Sequence, residues 1–121
     1  MTHQFAEIMH TRSVKAAQEQ YGSREDNERF ALKAGPNNEL TERESAFIQT
    51  RDTFYLANVN EDGWPYVQHR GGPPGFLRVL TPNRLAYADF RGNRQLISVG
   101  NVAINDRVSL ILMDYPKRRR L

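Results

Sequence analysis

The sequence predicts an α+β protein in which a helical N-terminal arm precedes an antiparallel sheet. Two observations predict this class. The first third of the 121 residues is polar with apolar residues at helical spacing, and from Thr53 onward aromatic and β-branched residues lie between turn signals. A hydrophobic content of 39% is enough for one core only. We therefore expect residues 1–40 to form the arm and residues 41–121 to form one domain, whose sheet curls into a small barrel.

The arm carries an interrupted helical pattern. Val14, Ala17 and Tyr21 are spaced to lie on one helical face. The Gly-Ser pair at 22–23 predicts that one helix stops there and another starts. The Gly-Pro-Asn-Asn sequence at 35–38 predicts the end of the helical region.

A capping box opens the second region of the chain. Thr41 is followed three residues later by Glu44, so each side chain can bond the backbone N–H of the other residue. This pattern predicts a short helix over about residues 42–51. We expect that helix to bury Phe47 and Ile48.

The next part of the chain has the alternation of a β-meander. Residues 54–59 and 64–70 flank an Asn-Glu-Asp-Gly turn signal, which predicts a β-hairpin. The Gly- and Pro-rich residues 71–75 end the second strand. Further strands are predicted at 76–80 and 85–89.

The last part of the chain predicts one helix and one strand. The helix is expected from residue 91 to about residue 99, with Gly100 and Asn101 ending it as a left-handed cap. Residues 108–114 are apolar on both faces, which predicts a central strand. Because Leu121 follows so soon, we expect either a fragment of a longer protein, truncated at its C-terminus, or a sheet edge covered by another chain.

Charge and composition exclude several classes of protein. The net charge of +3 comes from the basic run at residues 117–120, and the remainder is close to neutral. Aromatic residues are not interleaved with these cations, so nucleic-acid binding is not favoured. The sequence contains no cysteine, no apolar signal segment and no apolar run of the roughly 20 residues that span a bilayer. We expect a cytoplasmic protein without membrane contact.

Polar and cationic side chains come where strands end and glycines occur. They are Gln68, His69, Arg70, Asn93, Arg94 and Gln95. Such groups suit an anionic cofactor that needs both positive charge and close approach to the backbone. Flavin mononucleotide (FMN) is the cofactor we expect.

Two arginines are the candidates for a phosphate group. Arg70 precedes two glycines, and Arg94 follows Gly92 by two residues. Guanidinium groups and the N–H groups of a helix N-terminus bind a phosphate monoester well, and residues 92–95 are expected to supply those N–H groups. The plainer interpretation, which spacing alone favours, is that both arginines are solvated at strand ends.

The neighbouring residues carry weaker signals. Gln68 and Arg70 share one face of their strand, and His69 lies on the other. His69 has no second histidine or carboxylate near it in the sequence, which favours a packed or solvent-facing side chain over catalysis. The absent side chains of Gly71 and Gly72 are expected to let a planar ligand approach the backbone. No histidine or acidic cluster has the spacing of a metal site.

Three segments carry a resemblance to a known family. They read GWPYVQHRGGPPGFLRVL, LAYADFRGNRQLISVGN and NDRVSLILMDYPKRRRL. They resemble the FMN-binding split-barrel family related to pyridoxamine 5'-phosphate oxidase. The resemblance covers residues 41–121, and the arm segment SVKAAQEQYGSRE is typical of one uncharacterised bacterial branch.

The resemblance implies a fold, an assembly and a set of cofactor contacts. The fold is an antiparallel, Greek-key-like split β-barrel, working as a homodimer with FMN at the interface. The implied contacts are Tyr66, Val67, Gln68, His69, Arg70, Ala88, Asp89, Asn93, Arg94 and Gln95. Arg70 and Arg94 would hold the phosphate or ribityl end, and Val67 and Gln68 would address the isoalloxazine edge. Ala88 and Asp89 would line the groove.

The resemblance also implies an activity, with two departures. We expect an FMN-dependent oxidoreductase that transfers hydride to or from a small molecule, with Arg70 as the candidate cation near the flavin N1 and O2 edge. Gln95 stands where the true oxidase has a lysine, and the oxidase's substrate-binding stretch lies beyond Leu121, so pyridoxamine phosphate is not the expected substrate. The alternatives are a non-catalytic flavin or haem carrier and, third, a basic nucleic-acid-binding module.

Overall fold

The computed structural model describes residues 2–121, so Met1 of the predicted arm lies outside the described residues. The chain divides into two compact units, with the boundary between Leu40 and Thr41. The first unit contains helices α1 (Gln4–Met9), α2 (Arg12–Gln20) and α3 (Arg24–Lys33). The second contains helices α4 (Glu42–Gln49) and α5 (Ile97–Ile104) and the strands β1 (Thr53–Val59), β2 (Pro65–Gly71), β3 (Arg78–Thr81), β4 (Arg84–Ala86), β5 (Ser109–Ile111), β6 (Met113–Asp114) and β7 (Arg119–Arg120).

The first unit is helical, and its breaks follow local signals. Gly22 adopts a φ of +73° between α2 and α3, where the Gly-Ser pair predicts a stop and a new start. The buried His3 caps α1, because its Nδ1 accepts the backbone N–H of Ala6 at 3.3 Å. Its ring also lies 5.5 Å from the ring of Phe30 in α3, so histidine here serves packing and capping.

The predicted capping box is present at the start of α4. The Thr41 N–H donates to Glu44 Oε2 at 2.7 Å, and the Glu44 N–H donates to Thr41 Oγ1 at 3.4 Å. Ile48 is fully buried, as predicted, but Phe47 is only half-buried. The guanidinium of Arg51 lies 4.9 Å from the Phe47 ring centroid and covers part of it, after the helix has ended.

The β1–β2 hairpin is confirmed, and its turn is stabilised by one side chain. Asn60 Oδ1 accepts the N–H groups of Asp62 and Trp64 at 3.0 and 2.8 Å. Gly63 adopts a φ of +87°, which a glycine adopts without strain. The resulting register places Arg70 opposite Phe54.

The sequence predicts that residues 108–114 form the central strand, and this prediction is wrong. The central strand is β1, which lies between β2 and β5. The apolar run 108–114 divides into β5 and β6 because Leu112 changes partner. Its N–H and C=O bond the backbone of Leu121 at 2.8 and 3.0 Å instead of β1. One face of β5 stays exposed, and Ile111 lies on it. Apolar residues on both faces of a segment therefore did not indicate that both faces are buried.

The helix predicted over residues 91–99 is displaced toward the C-terminus. It forms as α5, from Ile97 to Ile104, and Gly100 and Asn101 lie inside it instead of ending it. Positive φ angles at Gly92, Arg94 and Leu96 prevent an earlier start. The prediction missed a tertiary contact, since the Asn101 side chain donates to Asn58 Oδ1 at 2.7 Å and thereby holds this turn in the helix.

The strands predicted at 76–80 and 85–89 also differ at their ends, because aromatic residues there pack instead of pairing. The ring of Phe76 stacks on Phe54 at a centroid distance of 5.5 Å, and the ring of Tyr87 meets Phe54 edge-on at 5.2 Å. Together with Ile48 and Leu77, these rings form a core on one face of the sheet. The pairing of β3 with β4 therefore lies between the two aromatic positions.

The mixed helical and antiparallel content confirms the α+β class. Within residues 2–121 the strands form one sheet of three strands and two sheets of two, and no closed barrel is present. The split barrel therefore stays a prediction. In the same residues, no helix combines the length and apolar character that crossing a membrane requires.

Candidate functional site

A cavity of about 180 Å³ lies between β2, the loop after β4 and the start of α5. Six of the ten sequence-predicted contacts line it: Tyr66, Gln68, Arg70, Asp89, Asn93 and Gln95. The alternation of β2 explains half of this set, because alternate side chains of a strand point to one face. The rest come from the loop, which carries polar residues opposite that face.

The other four predicted contacts lie outside this cavity. Val67 and His69 point to the opposite face of β2, where Val67 is 62% exposed and the His69 ring packs edge-on against Tyr55 at 5.4 Å. Ala88 and Arg94 are exposed in the loop and are not among the lining residues. Within one chain, the structure therefore brings together Gln68 and Arg70 but not Arg70 and Arg94.

Arg70 is held at the cavity by a carboxylate and an aromatic ring. Its Nη1 donates to Asp89 Oδ1 at 2.7 Å, and its guanidinium lies 5.5 Å from the ring centroid of Tyr87. Its Nε is buried and has no hydrogen-bond partner in the described part of the chain. A buried N–H without an acceptor costs about 1–3 kcal/mol, so an incoming acceptor can relieve this cost.

The start of α5 presents free backbone donors to the same cavity. Leu96, with a φ of +57°, provides no side-chain cap, and the first bond of the helix runs from the Gly100 N–H to the Leu96 C=O. The N–H groups of residues 97–99 therefore have no partner within the helix, and these residues line the cavity. The partial positive charge of a helix N-terminus favours an anion there.

The N–H groups that the sequence assigned to the anion are engaged elsewhere. The Arg94 N–H donates to the Arg91 C=O at 3.0 Å, and the Gln95 N–H donates to Asn93 Oδ1 at 3.1 Å. These bonds close a turn within the loop before the helix begins. The expectation of donors at 92–95 was thus wrong for two of those positions, because the helix starts later.

Gly72 has a structural role that the sequence interpretation missed. A Cβ atom at this position would lie 2.8 Å from the Cγ atom of Phe76. The space beside Gly72 is thus filled by a core ring, and the missing side chain does not leave room for a planar ligand. The expected approach of a ligand to this backbone is wrong at Gly72, because the Phe76 ring already occupies that position.

A hydrogen-bonded chain of four polar side chains ends at the cavity, and three of its members were not predicted. Asn101 bonds Asn58, Asn58 bonds Ser98, and Ser98 bonds Gln68. Two sequence signals could have found it. Asn58 interrupts the apolar face of β1, and Ser98 interrupts an apolar run, and buried polar groups need partners.

A larger cavity of about 770 Å³ lies elsewhere in the second unit, between α4 and the β6–β7 hairpin. Three residues of the basic run, Lys117, Arg119 and Arg120, line it together with Arg43. None of these four cations lines the smaller cavity. Size alone favours the larger cavity, but the smaller one is the place where predicted contacts, an unmet buried donor and free helix N–H groups converge.

Comparison with known proteins places the chain in a family. A family model described as pyridoxamine 5'-phosphate oxidase matches residues 40–121. No match was found among curated proteins or among solved structures. The matched segment includes every element of the second unit and both sides of the smaller cavity. Because the match covers well over half of the 121 residues, the chain belongs to the pyridoxamine 5'-phosphate oxidase family.

Proposed function

We propose that this chain is an FMN-binding oxidoreductase module that acts on a small molecule. Members of the family generally bind FMN. The observation that carries the proposal is the convergence of Gln68, Arg70 and the uncapped start of α5 on one cavity. Bound FMN would supply the hydride chemistry, and the protein would supply orientation and electrostatics.

The donors at the cavity fit the two kinds of acceptor that FMN carries. Arg70 and the free N–H groups at the start of α5 suit the phosphate, since both offer positive charge and hydrogen-bond donors. The Gln68 amide suits the edge of the isoalloxazine ring. We keep Arg94 as a proposed phosphate contact because its exposed side chain lies in the same loop.

The cavity is too small to enclose the whole cofactor. Ligand pockets usually measure roughly 300–1,000 Å³, whereas this one measures about 180 Å³. We propose that a second copy of the chain completes the site in a homodimer. The rim of the cavity supports this proposal, since Phe90, Leu96 and Val99 line it and are large apolar side chains that stay exposed.

The first test is the visible absorption spectrum of the purified protein, with chromatography of whatever heat denaturation releases. We expect a flavin spectrum and released FMN. A colourless protein that takes up no added FMN would contradict the proposal. Size-exclusion chromatography with light scattering tests the dimer on the same sample, and a monomer that binds FMN fully would contradict the shared site.

Reduction distinguishes the enzyme from the carrier. Under anaerobic conditions we expect a reduced nicotinamide to bleach the bound flavin, and oxygen or another acceptor to restore its absorption. A flavin that stays oxidised with every donor tested would favour the non-catalytic flavin carrier. A Soret band in place of the flavin spectrum would favour the haem carrier.

One observation favours the nucleic-acid alternative and gives it a separate test. Arg43, Lys117, Arg119 and Arg120 surround one open groove. Binding of this kind releases counterions and weakens steeply with salt. We expect no such salt-dependent DNA or RNA binding; its presence, and its loss when residues 117–120 are neutralised, would support this alternative. A cytoplasmic location stays a prediction from the lack of cysteine.

A further inference from the structure

The four polar side chains that link α5, β1 and β2 form what we call the relay: Asn101, Asn58, Ser98 and Gln68. Asn101 Nδ2 lies 2.7 Å from Asn58 Oδ1, Asn58 Nδ2 lies 3.1 Å from Ser98 Oγ, and Ser98 Oγ lies 3.1 Å from Gln68 Oε1. Asn58 and Ser98 are only 3% and 6% exposed. The relay therefore begins inside the protein and ends at the wall of the smaller cavity.

In the structure the hydrogen bonds of the relay all run outward, with each donor on the inner side of its acceptor. At the inner end, Asn101 donates to the oxygen of the Asn58 amide, so that amide turns its NH2 group to Ser98. A hydroxyl has one hydrogen, and Ser98 already accepts from Asn58, so its hydrogen is free for Gln68 Oε1. A reversed Asn58 alone would place two NH2 groups against each other, so the direction belongs to the relay as a whole and is set at its inner end, where the Asn101 amide turns its NH2 group to Asn58.

The consequence concerns the outer end of the relay. The oxygen of the Gln68 amide is engaged by Ser98, while none of the hydrogen bonds among residues 2–121 uses Gln68 Nε2. A glutamine that is free to rotate can offer either a donor or an acceptor. In this one Ser98 holds the oxygen, and the NH2 group is the part of the amide that is left without a partner in the described residues.

We propose that the relay makes Gln68 a fixed hydrogen-bond donor, so that the cavity selects a ligand edge with a carbonyl oxygen or an unprotonated ring nitrogen. Ser98, Asn58 and Asn101 are positioning residues that act through Gln68. A buried polar chain of this kind is no more stable than a well-packed apolar core, so its stability alone does not explain it. The orientation of the Gln68 amide is the role that explains the relay.

The first experiment needs no ligand and uses the NH2 signals of Gln68 in nuclear magnetic resonance spectra of the whole chain. Gln68→Met identifies those signals by removing them. We expect a rigid amide in the wild type and a mobile one in Ser98→Ala, with the exposed Gln49 as the mobile reference. A Gln68 amide as mobile as that of Gln49 in the wild type would overturn the proposal.

The second experiment measures ligand selection, and its choice of FMN as the probe rests on the proposed function. Calorimetric titration compares FMN with 2-thio-FMN and 4-thio-FMN, in which a weakly accepting sulfur replaces one ring oxygen. We expect the wild type to prefer FMN over one analogue about fivefold, and Ser98→Ala to reduce that preference to about twofold or less. Ser109→Ala, an exposed serine on β5, is the matched control and should keep the preference.

The outcomes separate the relay from the binding function. An equal loss of affinity for all three flavins in Ser98→Ala would indicate a purely structural role and would overturn the proposal. If Ser98→Ala does not fold, Asn101→Ala tests the inner end, where we expect a smaller loss of preference in the same direction. If the wild type binds no FMN, the proposed function fails, and the rigidity of the Gln68 amide alone decides on the relay.

Discussion

Two arginine–aspartate pairs in the second unit resemble each other in composition and differ in completeness. Arg51 lies 3.3 Å from Asp114, their side chains are 18% and 9% exposed, and every nitrogen of the Arg51 guanidinium has a hydrogen bond. Arg70 lies 2.7 Å from Asp89, but Asp89 is 48% exposed and Arg70 Nε has no partner in the described residues. The pair with the shorter distance is therefore the one whose arginine keeps an unpaired donor.

The difference separates a contact that holds the fold from one that leaves a buried donor unmet beside the candidate site. The Arg51 pair ties the end of α4 to β6, because the guanidinium also donates to the Met113 carbonyl. The Arg70 pair joins β2 to a loop and leaves one donor unmet beside a cavity. Distance alone would have ranked the two pairs the other way, so the count of satisfied donors is the better guide to function.

The largest expected effect is on stability, and it tests the structural pair. Asp114→Asn removes the carboxylate opposite a nearly buried guanidinium and should lower the free energy of unfolding by about 2–3 kcal/mol. The matched Asp89→Asn should change it by less than about 1 kcal/mol, because that carboxylate is half-exposed. Urea denaturation of both variants measures the difference. Equal destabilisation would mean that both pairs hold the fold.

The second effect is on cofactor affinity, and it tests the site pair. Arg70→Ala removes a charged donor from the cavity and should weaken FMN binding about tenfold or more. Arg94→Ala should weaken it less, since Arg94 does not line the cavity of its own chain. Fluorescence titration measures both constants. A larger loss in Arg94→Ala would move the phosphate contact from β2 to the loop.

The third effect has the opposite sign. Asp89 competes with an anionic ligand for Arg70, so Asp89→Asn should strengthen FMN binding about two- to fivefold, the scale of a partly exposed ion pair. The gain should shrink for riboflavin, which lacks the phosphate. Weaker FMN binding in Asp89→Asn would instead mean that Asp89 orients Arg70 for the ligand.

The smallest effect concerns a contact without an ion pair, on the exposed face of the sheet. The hydroxyls of Tyr55 and Tyr115 lie 3.2 Å apart, and this hydrogen bond, with smaller contributions from burial and from the Tyr55 charge, raises the pKa of Tyr115 above 10.0. Tyr55→Phe should lower that pKa toward 10.0, as measured by ultraviolet titration.

The same tyrosine contact makes stability depend on alkaline pH. A raised pKa in the folded state favours the neutral phenol, so the stabilisation is present below pH 10 and is lost as the pH rises through the raised pKa. Tyr55→Phe should therefore flatten the alkaline part of the stability curve. An unchanged Tyr115 titration would contradict the contact.

Local signals in the sequence were sufficient wherever the bonding atoms lie a few residues apart. The capping box of Thr41 and Glu44 and the turn around Asn60 formed as predicted. The alternation of β2 also placed Gln68 and Arg70 on one face, because the pleat of a strand needs no distant partner. Of these elements, β2 supplied three of the residues that line the smaller cavity.

Signals that depend on distant partners were misread. The helix α5 continues past its predicted end because its Asn101 bonds Asn58 across 43 positions of the chain. The apolar run before Leu121 became two strands because Leu112 pairs with that residue and not with β1. In both cases the sequence shows the residue types, but the choice between partners is made by the packed structure.

The sequence by itself determined the α+β class, the family and six of the thirteen residues that line the smaller cavity, because periodicity, turn chemistry and motif identity are local properties. Only the tertiary structure decided which donors remain free there. Arg70 meets Asp89, Ser98 meets Gln68, and the N–H groups at the start of α5 have no side-chain cap among residues 2–121. These pairings join residues far apart in the chain, and the burial that makes an unpaired donor costly exists only after folding.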